Sequence, residues 1–268
     1  MKTQAKTFAT LCGRGNTFRL WHFTTVYKDR QYVYTLRMVT STAPDFPPER
    51  RLEPRQRWMS FAEFVVGGSV VILHNVYHRV PNEVPILFAL GWISIRLRNG
   101  GWKAVGLVRP NSWWKTILWA VMVGVLVIVA GQVATMWGER VWHTAAKGSS
   151  VLQSTKATWQ ATLGSLGLVW TFAAFGEEMS YRGYLLTRAA DVGDRSTLSY
   201  LMALLASSVL FGYGHYYKGP AGILQSTVSG LILGGAYLLS RRNLWIPILA
   251  HGCADTIVII AFFFGWAD

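Results

Sequence analysis

The sequence predicts an all-α fold, a polytopic bundle of about seven transmembrane helices. Of its 268 residues, 51% are hydrophobic and only 15% are charged, whereas a soluble domain usually carries about 25% charged residues. From Phe61 onward, apolar residues form long blocks separated by short charged segments. Only helices and closed barrels satisfy their backbone groups within lipid. A block such as 119–130 is apolar throughout and lacks the alternation of a barrel strand, so the blocks are interpreted as helical spans.

Residues 1–60 differ from the rest of the chain because they are basic and contain no long apolar run. No apolar core followed by a small-residue cleavage site is present, so a secretory signal peptide is not predicted. We interpret this segment as a basic, poorly ordered cytosolic tail, and residues 61–268 as the membrane domain. Because Met59 directly precedes the first apolar block, a start of translation at Met59 is a second interpretation.

Seven apolar segments follow the tail, and a full crossing of the bilayer requires about 20 residues. The second segment is short enough to be a partial or tilted span, and the fourth is too long for a simple crossing. The predicted spans are 61–79, 84–98, 113–136, 160–190, 197–216, 220–240 and 244–266.

The net charge of +13 would suggest a nucleic-acid partner if the protein were soluble. Here Lys and Arg are concentrated before the first span and after the second, fourth and sixth. With seven spans and the amino terminus inside, all four basic segments lie on the cytoplasmic side, as the positive-inside rule requires. We therefore expect a lipid bilayer and no nucleic acid as partner, with the loop around Lys147 on the outer side.

Three groups of ionisable residues lie within the predicted spans, where such residues are costly and mark functional sites. The first group contains Glu177, Glu178 and Arg182. Residues four apart share a helix face, so Arg182 can neutralise Glu178. Glu177 points about 100° away from its neighbour and has no local cation. It is therefore free to act as a general base.

The second and third groups each contain a histidine. His215 follows Phe211 by four residues, and His251 precedes Asp255 by four in the last span. Asp255 can orient His251 or present its own oxygen to a substrate. With a rise of 1.5 Å per residue, the three groups lie roughly 12–28 Å from the inner ends of their helices. A shared site at mid-depth is physically possible.

In chain order, the three motifs are Glu177-Glu178-x-x-x-Arg182, Phe211-x-x-x-His215 and His251-x-x-x-Asp255. This ordered set resembles the CAAX protease and bacteriocin-processing (CPBP) family, which includes the type II CAAX prenyl endopeptidases and the Abi proteins. Each motif alone is weak, but the ordered set inside apolar helices is fairly specific. The resemblance covers roughly residues 160–266 and implies a CAAX-protease-like catalytic core there.

The resemblance implies an intramembrane endopeptidase. Glu177 would activate the attacking water, aided by His215. His251 and Asp255 would stabilise the oxyanion or hold water, and Glu178 with its arginine would support the site. The CAAX enzymes have Asn at the position of Asp255, and an ionised Asp cannot donate a hydrogen bond to an oxyanion. Water or metal binding therefore suits Asp255 better.

The resemblance leaves the cofactor open. Glu177, His215 and His251 could ligate zinc or another divalent metal, or the hydrolysis could proceed without one. His74 and His78 also have an i, i+4 spacing that metal ligands use. Their position at the end of the first span favours an interfacial anchor instead.

The expected substrate is a membrane-anchored protein or peptide, and the expected location is multi-pass in the plasma (cytoplasmic) membrane of a bacterium. The alternative function is a catalytically silent CPBP-fold scaffold or a bacteriocin self-immunity protein. A small transporter is less favoured, because such proteins show paired broken helices or internal repeats and the sequence shows neither.

Overall fold

A computed structural model of the chain describes residues 3–9, 17–28, 31–42, 52–146 and 158–266. The chain divides into two compact units, Met1–Arg51 and Leu52–Asp268. The loop around Lys147, which the sequence predicts on the outer side, lies outside the described residues.

The amino-terminal unit contains a three-stranded antiparallel sheet with the strand order β1-β2-β3. Strand β1 is Thr3–Ala9, β2 is Thr17–Lys28 and β3 is Gln31–Thr42. Strands β2 and β3 pair along their whole length. These strands differ from the poorly ordered tail that the sequence predicted. Their β-branched and aromatic residues favour extended structure, but they form no long apolar run and so give no signal of a membrane span.

The second unit is helical, with no strand within residues 52–146 and 158–266. Its α-helices are α1 (Pro54–Asn75), α2 (Glu83–Asn99), α3 (Trp113–Trp142), α4 (Trp159–Leu168), α5 (Leu186–Val192), α6 (Thr197–Tyr213), α7 (Gly219–Leu239) and α8 (Trp245–Phe263). Short 3-10 turns occupy Trp102–Val105 and Tyr216–Lys218.

The predicted spans coincide in order with helical segments of this unit. Three segments are long and apolar enough to cross a membrane by length and composition, namely Trp113–Trp142, Tyr216–Leu239 and Trp245–Phe263. Helix α6 is apolar but shorter. The helical bundle is thus confirmed for this unit, and the other four crossings remain predictions.

The fourth predicted span is one continuous helical segment that changes from α-helix to π-helix and back. Helices α4 and α5 form its two ends, and π-helical turns occupy Val169–Glu177 and Met179–Leu185 between them. A π-helix forms i→i+5 hydrogen bonds and often occurs at functional sites. The segment that carries the two glutamates therefore departs from the 3.6-residue geometry that the sequence analysis assumes.

The first helix begins earlier than the apolar pattern suggests. Pro54 occupies its first turn, and Glu53 and Gln56 form a capping box there, an arrangement that satisfies the free N–H groups of a helix start. The Leu52 amide donates to Asp194 Oδ1 over 2.7 Å, and Arg57 Nε donates to the Val192 carbonyl over 2.8 Å. The boundary between the units therefore lies after residue 51, not after the predicted residue 60.

The basic segments that follow the even-numbered spans meet the start of α1 and one another at one end of the bundle. Arg98 Nη2 donates to the Gln56 carbonyl over 2.9 Å, and Arg57 reaches the end of α5. Arg242 Nη1 donates to the Tyr200 hydroxyl over 3.1 Å. The predicted topology requires these segments to lie at one end of the bundle, and the side of the membrane on which that end lies remains a prediction.

Helix α6 approaches α7, and α3 approaches α8, closely at small residues. A Cβ atom at Gly230 of α7 would lie 3.1 Å from Ser208 Cα, and one at Gly124 of α3 would lie 3.1 Å from the Ala250 carbonyl oxygen. Helices in lipid associate through close packing at such residues. Both contacts position elements that carry the site.

The loop before α3 is joined to the loop before α8. The Leu244 amide donates to the Gly106 carbonyl over 3.1 Å, and the buried Tyr237 hydroxyl donates to the Val105 carbonyl over 2.8 Å. Gly106 has φ +98°, and a Cβ atom there would lie 1.5 Å from the Arg242 carbonyl oxygen. Only glycine fits this position.

Candidate functional site

The two glutamates lie where the π-helical turns meet. Glu177 ends the first of these turns, and Met179 begins the second. Glu178, between them, is fully buried, and its Oε1 lies 2.6 Å from Arg182 Nη1. The i, i+4 ion pair that the sequence predicts is therefore confirmed. Arg182 Nη2 also donates to the Gly230 carbonyl over 3.3 Å, which joins this segment to α7.

Glu178 has a second partner that the sequence did not indicate. His251 of α8 is buried, and its Nδ1 lies 2.8 Å from Glu178 Oε1. One carboxylate oxygen therefore accepts hydrogen bonds from Arg182 and from His251. When Nδ1 carries a proton to donate, a neutral His251 keeps its lone pair at Nε2. The histidine is thus held in one tautomer and one orientation.

The turn of α8 around His251 is held from the side by Trp170. A Cβ atom at Gly252 would lie 2.6 Å from the Trp170 ring, and Trp170 Nε1 donates to Thr256 Oγ1 over 3.2 Å. The glycine therefore lets the indole lie directly against the helix. Trp170 is a positioning residue that no motif of the sequence pointed to.

Glu177 differs from its neighbour because it is left without a strong partner. Its Oε2 atom is buried and accepts no hydrogen bond within the described part of the chain. Glu83 of α2 lies close to the site, since its Oε1 would be 3.6 Å from a Cβ atom at Gly214, the residue before His215. A buried polar atom without a partner is rare in folded proteins and requires an explanation.

His215 reaches the site from a turn and not from a helix. The sequence placed it inside the fifth span, but α6 ends at Tyr213 and His215 precedes the 3-10 turn Tyr216–Lys218. Its Nδ1 lies 3.0 Å from the Phe211 carbonyl. A carbonyl only accepts, so Nδ1 carries the proton and a neutral His215 keeps a lone pair at Nε2.

The Phe211 ring connects the two histidines and the arginine. Its centroid lies 4.9 Å from the His215 ring and 6.0 Å from the His251 ring. Arg182 Cζ lies 4.5 Å from the same centroid, within the range of a cation–π contact. The Phe-x-x-x-His spacing indicated that Phe211 and His215 are neighbours, but it did not indicate the contacts of the ring with Arg182 and His251.

Asp255 lies on the far side of His251 from Glu178. Its Oδ2 is 3.5 Å from His251 Nε2, which is longer than a normal hydrogen bond. The shorter contact of His251 is the one to Glu178. The predicted i, i+4 neighbourhood of His251 and Asp255 is therefore present, but Glu178 is the residue that orients the histidine.

The residues do not form a ready metal site. Among the described residues, no group of three His, Cys, Asp or Glu side chains is placed to hold a metal ion. His251 Nδ1 is bonded to Glu178 and His215 Nδ1 to the Phe211 carbonyl. Bonds at Nδ1 leave both Nε2 atoms able to ligate a metal, so the set Glu177, His215 and His251 that the sequence offered for zinc stays a prediction.

The other histidine pair is separated by the end of α1. That helix ends at Asn75, and His78 lies beyond it with φ +52°. His74 Nε2 is 3.2 Å from the buried Glu83 Oε2, and its Nδ1 donates to the Val80 carbonyl over 3.0 Å. His74 therefore stabilises the turn between α1 and α2 and helps to hold Glu83 in place. The sequence did not predict this contact between His74 and Glu83.

The fold and the site define a class, a helical membrane protein with a buried carboxylate–histidine cluster. Within that class, residues 159–257 match a family model described as Type II CAAX prenyl endopeptidase Rce1-like. The match includes all three motifs and confirms the resemblance to the CAAX protease family. It supports a protease-type hydrolase at the family level. No curated protein and no solved structure matches the chain.

Proposed function

We propose that this protein is an intramembrane endopeptidase that uses Glu177 as its general base. The observation that supports this role is the unequal use of two adjacent carboxylates. Glu178 accepts from Arg182 and His251 at Oε1 and leaves Oε2 unpaired, whereas no described residue donates to Glu177, whose Oε2 is buried. A water molecule bound to that oxygen would be well placed to lose a proton.

The reaction begins with water held by Glu177 and by the lone pair at His215 Nε2. Glu177 removes a proton as the water oxygen attacks the carbonyl carbon of the peptide bond. A tetrahedral intermediate forms and then collapses with cleavage of the C–N bond. Glu177 returns its proton to the leaving nitrogen, so the site is restored. Positioned acid–base catalysis of this kind contributes about 10²–10⁴-fold.

His251 and Asp255 complete the site in this proposal. His251 is fixed by Glu178 and faces Asp255 with Nε2. An ionised Asp255 accepts hydrogen bonds but donates none, so it holds water and does not contact the oxyanion. Arg182 keeps Glu178 in place and takes no part in proton transfer.

The substrate in this proposal is a membrane-anchored protein or peptide. His251 and Asp255 lie on α8, which is long and apolar enough to cross a membrane, so a peptide bond would reach the site from the lipid boundary. The protein would cross the plasma membrane several times, with its basic end in the cytoplasm.

The test compares the wild-type protein with Glu177→Gln in membranes of an expression host. New peptide termini are mapped by mass spectrometry, and the cleavage sites found are remade as synthetic membrane-anchored peptides for assay with purified protein. Glu177→Gln should lower the cleavage rate by about 10²–10⁴-fold, with an unchanged melting temperature. Glu139→Gln is the matched control, because Glu139 lies on α3 and accepts from the Ala146 amide. Equal cleavage by wild type and Glu177→Gln would overturn the proposal.

A further inference from the structure

The first turn of α2 lies beside the site but carries none of the three motifs. It begins with Glu83, whose carboxylate is buried. The Asn82 side chain caps this turn and accepts from the Val84 amide over 2.9 Å. Glutamate is seldom buried in folded proteins unless it has a partner, so the position of Glu83 requires a structural or functional reason.

The partner of Glu83 is His74 of α1. His74 Nε2 lies 3.2 Å from Glu83 Oε2, and its Nδ1 donates to the Val80 carbonyl over 3.0 Å. A protonated histidine offers an N–H group at both ring nitrogens. His74 therefore lies between the connecting turn and the carboxylate, and the pair holds the first turn of α2 against the end of α1.

The residue after Glu83 packs against the segment of the catalytic base. A Cβ atom at Gly176 would lie 2.9 Å from Val84 Cγ1. Gly176 is buried and directly precedes Glu177 at the end of the first π-helical turn. The missing side chain lets α2 approach the backbone here, so a shift of α2 towards this segment would displace Glu177.

Glu83 itself lies against the turn that carries the other water-binding residue. A Cβ atom at Gly214, directly before His215, would lie 3.6 Å from Glu83 Oε1 and 2.8 Å from the Tyr181 hydroxyl. The Tyr181 ring in turn packs edge-on against Phe211, with 5.0 Å between the ring centroids. The backbone before His215 is thus held between the start of α2 and Tyr181.

We propose that Glu83 is a positioning residue, which keeps Glu177 and His215 at the separation that hydrolysis requires. In the proposed reaction these two residues hold the attacking water, so their separation determines where the water oxygen lies. One turn of α2 contacts the backbone before each of them, and Glu83 fixes that turn through His74. A misplacement of about 1 Å at a reacting group lowers a rate by about 10²-fold. Glu83 transfers no proton in this proposal.

This inference rests on the proposed peptidase function, so the test starts from a membrane-anchored peptide that the wild-type protein cleaves. Glu83→Met keeps the length of the side chain but loses the polar contact with His74. It should lower kcat by about 10²-fold with KM little changed, because the substrate does not contact Glu83. His74→Ala breaks the same pair from α1 and should show the same split between kcat and KM.

Glu83→Gln separates a positioning role from a role of the charge. Its amide still reaches His74, since it can donate to Nε2 of the neutral ring. It should therefore retain most of the kcat that Glu83→Met loses. An equal loss in Glu83→Gln and Glu83→Met would show that the carboxylate itself acts in the reaction, and would overturn the positioning role.

A second arm moves the same turn without changing any charge. Gly176→Ala places a methyl group 2.9 Å from Val84 Cγ1 and should lower kcat. Val84→Ala removes the methyl groups that it would meet, so the double variant should regain part of the lost kcat. Gly164→Ala is the matched control, because no atom lies within 4 Å of the Cβ position there. Losses that simply add in the double variant would contradict the inference, and this arm decides if Glu83→Met lowers the melting temperature.

The two proposals fail in different ways. If Glu177→Gln is inactive while Glu83→Met and Gly176→Ala keep the wild-type kcat, the positioning role is wrong and the peptidase stands. If Glu177→Gln cleaves as well as wild type, the catalytic role of Glu177 is wrong, and the positioning role that depends on it falls as well.

Discussion

Two buried clusters of charged residues lie in the same helical unit and differ in how fully their atoms are bonded. The site cluster consists of Glu177, Glu178, Arg182 and His251. The second, here named the Arg188 cluster, lies at the basic end of the bundle and consists of Glu63, Arg98, Arg188, Asp191 and Arg195.

In the Arg188 cluster, one arginine binds three segments of the chain. Its Nε lies 2.9 Å from Glu63 Oε2 of α1, its Nη1 lies 2.7 Å from Asp191 Oδ2 of α5, and its Nη2 donates to Asn99 Oδ1 of α2 over 2.7 Å. Arginine suits such a position because its planar fork offers five donors in fixed directions. These partners allow the charged Arg188 side chain to be buried, with only 1% of its surface exposed.

Asp191 is bonded as completely as the arginine. Its Oδ1 lies 2.7 Å from Arg195 Nε, and its Oδ2 accepts from Arg188 and from Ser60 Oγ. In the site cluster, by contrast, the Oε2 atoms of Glu177 and Glu178 have no hydrogen-bond partner within the described residues. A fully bonded buried network fixes structure, whereas unpaired buried oxygens require an explanation, such as a catalytic role or a bound water.

The largest effect on stability is expected from Arg188→Met. The change leaves the buried Asp191 and the partly exposed Glu63 with fewer partners, and removal of one member of a buried ion pair such as Arg188–Asp191 costs about 3–5 kcal/mol. The melting temperature of the detergent-solubilised protein should fall sharply, while the cleavage rate per folded molecule stays near wild type. Arg96→Met is the control, because Arg96 is exposed on α2. A variant as stable as this control would contradict the structural role of the cluster.

A smaller loss of stability is expected from Glu178→Gln, because the amide oxygen still accepts one hydrogen bond while Arg182 loses its counter-ion. The cost should lie near the lower end of about 3–5 kcal/mol, and cleavage should fall with it because His251 is no longer held. Glu177→Gln is the matched variant and should lose cleavage alone. Equal melting curves for the two variants would remove the distinction between the carboxylates.

Reversal of the ion pair sharpens this comparison. Glu178→Arg with Arg182→Glu restores opposite charges, but it places a cation against His251 Nδ1, which lies 2.8 Å from Glu178 Oε1 in the wild type. We therefore expect little recovery of the melting temperature and none of the cleavage rate. Full recovery of both would show that the contact of His251 with Glu178 is dispensable.

Gly252→Ala should have a smaller effect again. The added methyl group would lie 2.6 Å from the Trp170 ring, and overpacking of this kind costs about 1–3 kcal/mol. Displacement of the indole or of α8 also moves His251, so cleavage should fall more than stability. Gly235→Ala is the control, because no atom lies within 4 Å of the Cβ position there. Wild-type cleavage by Gly252→Ala would show that Trp170 does not position the site.

The smallest effect is expected at the amino terminus of α1. A protein that begins at Leu52 keeps the capping box and the contacts with Asp194 and Val192, and should melt as the full chain does. A protein that begins at Met59 loses them, and the loss of a helix cap costs about 0.5–2 kcal/mol. Identical melting temperatures for the two truncated proteins would return the boundary to the predicted position after residue 60, where the apolar blocks begin.

The difference between the clusters also explains which parts of the site could be predicted. The Glu178–Arg182 pair is local, so the i, i+4 rule was sufficient to predict it. The contact of Glu178 with His251 joins residues 73 positions apart and depends on how α8 packs, which no spacing rule gives. For the same reason the sequence offered Asp255 as the partner of His251, whereas the structure gives the shorter contact to Glu178.

Helix ends and the Arg188 cluster were harder to predict. Apolar blocks predicted the order of the helices, but they placed His215 inside the fifth span, beyond the observed end of α6 at Tyr213. Arg188 and Asp191 have an i, i+3 spacing that was visible in the sequence. The arginine was taken only as a loop charge, because charge patterns predict topology without predicting burial. The strands of the first unit were missed because only apolar runs were weighed there, whereas the signal of these strands is their β-branched and aromatic residues.

The link between the two loops before α3 and α8 limits how this core can be transplanted. The Leu244 amide bonds to Gly106, and the Tyr237 hydroxyl bonds to Val105, yet both acceptors lie outside residues 159–257, the part that matches the family model. A chimaera that grafted only the matched part onto foreign helices would leave the entry of α8 without its anchor. The smallest segment that could be transferred with its structure intact is therefore larger than the three motifs. It also includes the turn at Trp102–Val105 and Gly106.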